Sequence, residues 1–132
     1  MGLEVAEKCR VLCVDDHADT GMMLKYLLGS SDYEVETADT IEVAIEFAKS
    51  GKFDLFILDR RFPDGTGVEL CRELRKISPD TPIIFYSGDA YQLHRDEALG
   101  AGADAYVPKP EIDHLLTTVN NLLDDAGCAA AS

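Results

Sequence analysis

The feature that most constrains the fold of this chain is a regular alternation of short apolar runs with helical patterns. Extended runs are predicted near residues 9–14, 33–37, 53–58, 82–87 and 103–107. Helical patterns follow them at 18–29, 40–50, 66–77, 91–99 and 111–124. Because parallel strands need long crossover connections, five strand–helix units predict an α/β domain with a doubly wound parallel sheet. The run at 33–37 alternates polar and apolar residues, which is typical of an edge strand, so we place it outermost.

Length and charge limit the function classes. The 132 residues suffice for one domain, which we assign to residues 8–124 with short tails at 1–7 and 125–132. A formal net charge of −13 disfavours direct binding to nucleic acid, whose phosphates carry the same sign. No apolar stretch approaches the roughly 20 residues of a membrane span, and the amino terminus lacks a signal-peptide pattern. We therefore expect a cytoplasmic protein that does not insert into membranes.

The four cysteines give no pattern of a redox pair or a zinc site. Cys9 and Cys13 lie on one predicted strand and so are about 13 Å apart, whereas bridged Cα atoms lie within about 7 Å. Cys71 falls on a predicted helix and Cys128 in the tail. We expect all four to be reduced thiols.

Polar side chains end four of the predicted strands. Asp15 and Asp16 follow the first strand, Asp59 the third, Ser87 ends the fourth, and Lys109 follows the fifth. Each could be only a helix cap or a turn residue. In open parallel sheets, however, ligands bind at the carboxyl ends of the strands, so the five groups together predict one site.

The chemistry of these groups indicates phosphoryl transfer. Three converging carboxylates repel one another unless a cation joins them, and hard oxygen ligands suit Mg²⁺. Lys109 and the Ser87 hydroxyl could bind further phosphate oxygens, while one carboxylate acts as nucleophile and forms an acyl phosphate. His17 follows the acidic pair directly, and we interpret it as a solvated residue at a helix start rather than a ligand.

The motif set resembles the receiver domain of bacterial-type response regulators across residues 8 to 124. The matching segments are Val14-Asp15-Asp16, Leu58-Asp59 with Pro63 and Gly67, Tyr86-Ser87-Gly88, and Tyr106 with Lys109-Pro110. The resemblance implies a flavodoxin-like five-stranded sheet in the order 2-1-3-4-5 with five helices. We also expect a cis bond between Lys109 and Pro110, because the chain must turn sharply there from strand to helix.

The resemblance assigns roles to the acidic residues and the lysine. It makes Asp59 the phosphoacceptor. It makes Asp16, Asp59 and the backbone carbonyl of Arg61 direct Mg²⁺ ligands, with Asp15 holding the metal through water. Lys109 is implied to pair with Asp59 or with its phosphate.

The resemblance also implies a switch. Ser87 would be the switch hydroxyl, and Tyr106 its aromatic partner, turning inward when Ser87 moves toward the phosphoryl group. Arg60 and Arg61 directly follow Asp59, and adjacent arginines are not the family's commonest choice there. The resemblance places Arg61 beside the metal. We expect its side chain to cover the mouth of the site, to pair with Asp89 and to slow hydrolysis.

The function expected is that of a stand-alone phosphoacceptor receiver in a two-component phosphorelay, a switch rather than an enzyme. It would take a phosphoryl group from a histidine kinase or phosphotransfer protein. It would then dock a downstream protein through the helix at 91–99, the strand at 103–107 and the helix at 111–124. Two alternatives stay open: an interaction module on the same fold that does not depend on phosphorylation, and an aspartate-nucleophile phosphatase. The phosphatase family, however, spaces its acidic pair as Asp-x-Asp and needs a larger body.

Overall fold

A five-stranded parallel sheet with helices on both faces forms the framework of the computed structural model, which describes residues 8–88 and 92–128. The elements in chain order are β1 (Arg10–Val14), α1 (Ala18–Gly29), β2 (Glu34–Ala38), α2 (Ile41–Ser50), β3 (Leu55–Leu58), β4 (Arg61–Phe62), β5 (Gly65–Thr66), α3 (Gly67–Ile77), β6 (Ile83–Ser87), α4 (Gln92–Gly100), β7 (Ala105–Pro108) and α5 (Ile112–Asp125). The large sheet has the order β2-β1-β3-β6-β7. The predicted order, the parallel sheet and the edge position of the second strand are confirmed.

Two apolar cores sandwich the sheet. One lies under α2, α3 and α4, and the other under α1 and α5. All four residues of β3 are buried because both faces of this central strand are covered, which explains its continuous apolar run. Helix α4 is packed least, since Ala98 is its one buried residue. Among the described residues, no helix is both long enough and apolar enough to span a bilayer.

A small antiparallel hairpin, β4–β5, follows β3 and was not expected from the sequence. Two-residue strands carry too little periodicity to be recognised. The hairpin is tied to α2 by Asp64, whose carboxylate accepts hydrogen bonds from the backbone N–H groups of Ile41 and Glu42 at 2.9 and 3.1 Å. Thr40 caps the same helix by accepting from Val43 N at 3.1 Å. The segment between β3 and α3 is therefore fixed to its neighbour.

The expectation of four reduced thiols is wrong for two of them. Cys9 and Cys128 form a disulfide, with Cα atoms 6.0 Å apart. Helix α5 runs back along the sheet and brings Cys128, which we assigned to a tail, beside the start of β1; spacing along the chain does not reveal such an approach. Cys13 and Cys71 are free and buried. Burial, with a smaller effect from Asp15, raises the pKa of Cys13 to about 12, and burial also raises that of Cys71.

Candidate functional site

The carboxyl end of the sheet brings together all five polar groups that the strand ends predicted. A cavity there is lined by Asp16, His17, Asp59, Arg60, Arg61, Ser87, Gly88 and Lys109. Asp15 joins this set through its contact with Lys109. Neighbouring parallel strands end at one edge of the sheet, so residues up to 94 positions apart in the chain come into contact.

Lys109 lies between two of the carboxylates. Its Nζ donates to Asp15 Oδ2 at 2.7 Å and to Asp59 Oδ2 at 3.3 Å. Its backbone N–H donates to Ser87 O at 2.7 Å, and the bond to Pro110 is cis, as predicted. Burial alone would lower the pKa of Lys109, but the hydrogen bond to Asp15 and the charge of Asp59 outweigh it and raise the pKa. The lysine is therefore a fixed cation at the site.

The carboxylates differ in exposure. The side chains of Asp15 and Asp59 are 6% and 10% exposed, whereas that of Asp16 is 37% exposed. Asp59 Oδ1 accepts from the backbone N–H of Arg60 at 2.7 Å, so Asp59 is held from both sides. The Ser87 side of the cavity is buried as well. Of the three carboxylates, that of Asp16 is the one most open to solvent.

His17, which we interpreted as a solvated residue at a helix start rather than a ligand, lies beside the acidic cluster. It is the N-cap of α1 and its side chain is 68% exposed, in line with a residue at a helix start. Its Nδ1, however, lies 3.0 Å from Asp15 Oδ1, 3.2 Å from Asp16 Oδ1 and 3.8 Å from Asp59 Oδ2. Its place directly after the acidic pair was the available signal.

The cluster has the composition of a metal site. One ligand atom from each of Asp15, Asp16, His17 and Asp59 can be chosen so that all lie within 4.8 Å of one another. Carboxylate oxygens are what Mg²⁺ prefers, and an ion with some water ligands needs only a few of them. The residues present therefore fit a divalent cation.

Close packing at the start of α3 holds the end of β3 in place. A Cβ on Gly67 would lie 2.2 Å from the backbone oxygen of Asp59 and 2.7 Å from Phe85 Cε2. Gly67 N donates to Arg60 O at 2.7 Å. Only a residue without a side chain fits between the strand and the helix at this point.

The expected switch residue Tyr106 is buried, whereas Arg61, expected to cover the site, is exposed. Tyr106 is 5% exposed, and its ring stacks on Phe85 with centroids 6.1 Å apart. The Arg95 guanidinium lies 6.0 Å from the same tyrosine ring. Arg61 is exposed and lines the cavity. Asp89 lies outside the described residues, so its pairing with Arg61 stays a prediction.

Known proteins resemble this chain in sequence. The family model for the response regulator receiver domain matches residues 11–120. The cell cycle response regulator CtrA of Brucella ovis is 33% identical over 115 residues, which are 86% of this chain and 50% of that protein. The chain thus spans about half the length of this curated relative.

Solved structures agree with the sequence matches. A CheY-like response regulator receiver domain protein from Methanospirillum hungatei has a TM-score of 0.87 at 32% identity, covering 92% of this chain and 98% of that one. CheY4, a chemotaxis protein of Vibrio cholerae, has a TM-score of 0.83 at 30% identity, covering 89% and 100%. From the match over residues 11–120, together with the sheet order and the acidic cluster, we conclude that the chain belongs to the response regulator receiver domain family of two-component signalling.

Proposed function

We propose that this protein is a phosphorelay receiver that accepts a phosphoryl group on Asp59 from a histidine kinase or a histidine phosphotransfer protein. The observation that carries the proposal is the position of Lys109 Nζ, 2.7 Å from Asp15 Oδ2 and 3.3 Å from Asp59 Oδ2. This places a fixed cation beside a carboxylate that is held by a backbone N–H at the mouth of a cavity.

The chain's own residues provide most of what the transfer needs. An oxygen of Asp59 attacks phosphorus, the new P–O bond forms, and the bond from phosphorus to the donor imidazole nitrogen breaks. The nitrogen keeps the bonding electron pair, and the product is an acyl phosphate. Lys109 neutralises charge on the phosphoryl oxygens, and the Ser87 hydroxyl donates a hydrogen bond to one of them.

Asp15, Asp16, Asp59 and the backbone carbonyl of Arg61 would hold Mg²⁺, with Asp15 acting through water. The fit rests on the carboxylate donors gathered within one ion's reach. When bound, Mg²⁺ supplies positive charge that offsets the carboxylates and the phosphoryl oxygens. Without a cation, the three carboxylates repel one another, which disfavours the approach of another anion.

Phosphorylation by a small donor tests this assignment. The protein is incubated with acetyl phosphate and Mg²⁺, and the intact mass is measured. We expect one added phosphoryl group in the wild type, none in Asp59→Asn, and normal labelling in Asp80→Asn, which changes an exposed aspartate away from the site. Labelling of Asp59→Asn, or full labelling in excess chelator, contradicts the assignment. A wild type that takes no label supports the interaction-module alternative.

We further propose that the phosphorylated state is read out on a surface formed by α4, β7 and α5. Tyr106 on β7 is packed between Phe85 and Arg95, which joins the central sheet to the poorly packed α4. Leu93 and Leu99 on α4 are 65% and 43% exposed, so this surface offers apolar contacts to a partner protein. A small shift at Ser87 would reach the surface through Tyr106.

Hydrogen exchange tests the readout. Addition of acetyl phosphate should change exchange across α4, β7 and α5 in the wild type. Tyr106→Ala should still be phosphorylated but lose most of that change. Tyr26→Ala, which alters a tyrosine 76% exposed on α1, serves as the control and should behave as the wild type. A full response in Tyr106→Ala would remove Tyr106 from the readout.

Arg61 is proposed to slow loss of the phosphoryl group by covering the approach of water. The support is its position on the cavity wall. Each tenfold in lifetime corresponds to about 1.4 kcal/mol of barrier. Decay of the phosphorylated protein should be faster in Arg61→Ala and Arg61→Asn than in the wild type or in Arg72→Ala, a change on the exposed face of α3. Equal decay rates in the wild type and the three variants would mean that the Arg61 side chain points into solvent and does not affect hydrolysis.

A further inference from the structure

The ring nitrogen of His17 lies at the edge of the acidic cluster where an additional metal ligand would be placed. Its Nδ1 is 3.0 Å from Asp15 Oδ1 and 3.2 Å from Asp16 Oδ1. Ligands in neighbouring positions of an octahedral ion at about 2.1 Å are themselves about 3 Å apart. The separation from Asp16 Oδ1, a direct ligand in the proposed site, is close to this value, so the two groups can bind one ion without rearrangement of the backbone.

The two oxygens of Asp15 face different partners. Oδ2 accepts from Lys109 Nζ at 2.7 Å. Oδ1 accepts from the backbone N–H of His17 at 2.8 Å and lies beside that residue's ring nitrogen. Lys109 and His17 thus contact different oxygens of Asp15. A cation bound beside His17 and Asp16 leaves the contact between Lys109 Nζ and Asp15 Oδ2 intact.

We propose that His17 is a direct nitrogen ligand, through Nδ1, which makes the site prefer first-row transition-metal ions such as Co²⁺ and Ni²⁺ over Mg²⁺. The inference rests on the acidic metal site proposed above and extends it by one residue. Mg²⁺ is bound by oxygen and gains little from imidazole, whereas affinity for nitrogen ligands rises from Mn²⁺ through Co²⁺ to Ni²⁺. The contribution of His17 to the free energy of metal binding should therefore increase from Mn²⁺ through Co²⁺ to Ni²⁺.

The test is a set of metal titrations of the intact protein by calorimetry at about pH 8, where ordinary histidine side chains are neutral. The variant is His17→Asn, because asparagine is a favourable N-cap and offers an oxygen in place of the nitrogen. We expect Mg²⁺ affinity to change less than about twofold, whereas Co²⁺ and Ni²⁺ affinity falls by about 10- to 100-fold, the loss being largest for Ni²⁺. His114→Asn is the matched control, since His114 is exposed on α5 beside Glu111.

A spectroscopic measurement separates ligation from a general electrostatic effect. The Co²⁺-loaded wild type should show a hyperfine-shifted imidazole C–H resonance that is absent from His17→Asn and present in His114→Asn. Equal losses of affinity for Mg²⁺, Co²⁺ and Ni²⁺ in His17→Asn, or a missing resonance in the wild type, would overturn the inference. If His114→Asn lost as much Co²⁺ and Ni²⁺ affinity as His17→Asn, the binding would be assigned to surface histidines in general.

The outcome is distinguishable from a failure of the proposed function. Phosphorylation by acetyl phosphate with Mg²⁺ is measured on the wild-type protein, so that result does not depend on the His17 variant. A wild type that binds Co²⁺ through His17 but takes no phosphoryl group would refute the receiver function alone. A protein that is phosphorylated normally but shows no dependence on His17 for any metal would refute this inference alone.

Discussion

Residues at the strand ends form the site, and close contacts hold them in position. Asp59 Oδ1 is held by the backbone N–H of Arg60, and Oδ2 faces Lys109. The backbone oxygen of Asp59 packs against the start of α3, where Gly67 leaves no space for a methyl group. A substitution behind the carboxylate can therefore displace it without touching any charged group.

Gly67→Ala tests this packing. Its Cβ would lie 2.2 Å from the backbone oxygen of Asp59, so the strand end or the helix must move. We expect a loss of about 1–3 kcal/mol in the free energy of unfolding, typical of overpacking, together with slower phosphorylation of Asp59. Gly100→Ala is the control, because a Cβ there meets nothing within 4 Å. Denaturant unfolding and acetyl phosphate labelling give the two measurements; unchanged stability in Gly67→Ala would contradict the packing argument.

The sequence was sufficient to find the polar residues that gather at the strand ends, but not to find the contacts that their neighbours make with them. Asp15, Asp16, Asp59, Ser87 and Lys109 could be found because strand ends share one edge of the sheet. The approach of the His17 ring to three carboxylates depends on a side-chain rotamer and on the local turn, neither of which periodicity reports. The position of Arg61 on the cavity wall similarly depends on the hairpin that follows β3.

At the scale of elements, strands and helices were predicted to within two residues at almost every boundary, because apolar runs and helix stops are local signals. Helix α1 was predicted at 18–29 and lies at Ala18–Gly29. The hairpin β4–β5 was missed because it is held by a contact across the chain, from Asp64 to the start of α2. That contact fixes the segment carrying Arg61 relative to the sheet.

Asp64 should make this attachment sensitive to acid. The hydrogen bond from Ile41 N lowers the pKa of Asp64 below its ordinary value of 3.8, and the bond from Glu42 N adds to the effect. A carboxyl whose pKa is lower in the folded state stabilises the fold at pH above its unfolded pKa, and this contribution is lost as pH falls through the folded pKa. Asp64→Asn should lower the melting temperature at neutral pH, and its difference from the wild type should shrink below about pH 4.

The control for Asp64 is Asp80→Asn, which removes an exposed turn carboxylate. Melting temperatures are recorded by circular dichroism between neutral and strongly acidic pH. The Asp80 variant should follow the wild-type curve in shape. A difference between Asp64→Asn and the wild type that stays constant with pH would show that the carboxylate charge does not hold the hairpin to α2.

At the scale of the whole molecule, the disulfide joins the beginning of the sheet to the end of the last helix. Cys9 and Cys128 are 119 positions apart, so the bridge closes almost the entire described chain into one loop. This bridge could not be predicted from the sequence, since the pairing depends on where α5 ends in space. In the chain-entropy model a loop of this size stabilises the folded state by about 5 kcal/mol, mainly by restricting the unfolded chain.

Removal of the bridge should therefore have a large effect on stability and a small one on the site. We expect the double variant Cys9→Ala and Cys128→Ala to lose up to about 5 kcal/mol in the free energy of unfolding while Asp59 labelling persists. Reduction of the wild type should give a similar loss and expose two reactive thiols. The same reductant should leave the double variant unchanged. Two reactive thiols in the native protein without reductant would contradict the bridge.

The same covalent link decides how the domain responds to force. A pull applied to chain segments beyond residues 9 and 128 passes through one S–S bond and does not reach the peptide backbone of the loop that the bridge closes. The parallel strands are then not sheared apart, and stretching gains no length from the domain. A reducing environment breaks the S–S bond, so the same force would then act on the backbone. It would separate β1 from its neighbouring strands and α5 from the sheet. We therefore expect the mechanical resistance of this domain to depend on whether Cys9 and Cys128 are oxidised.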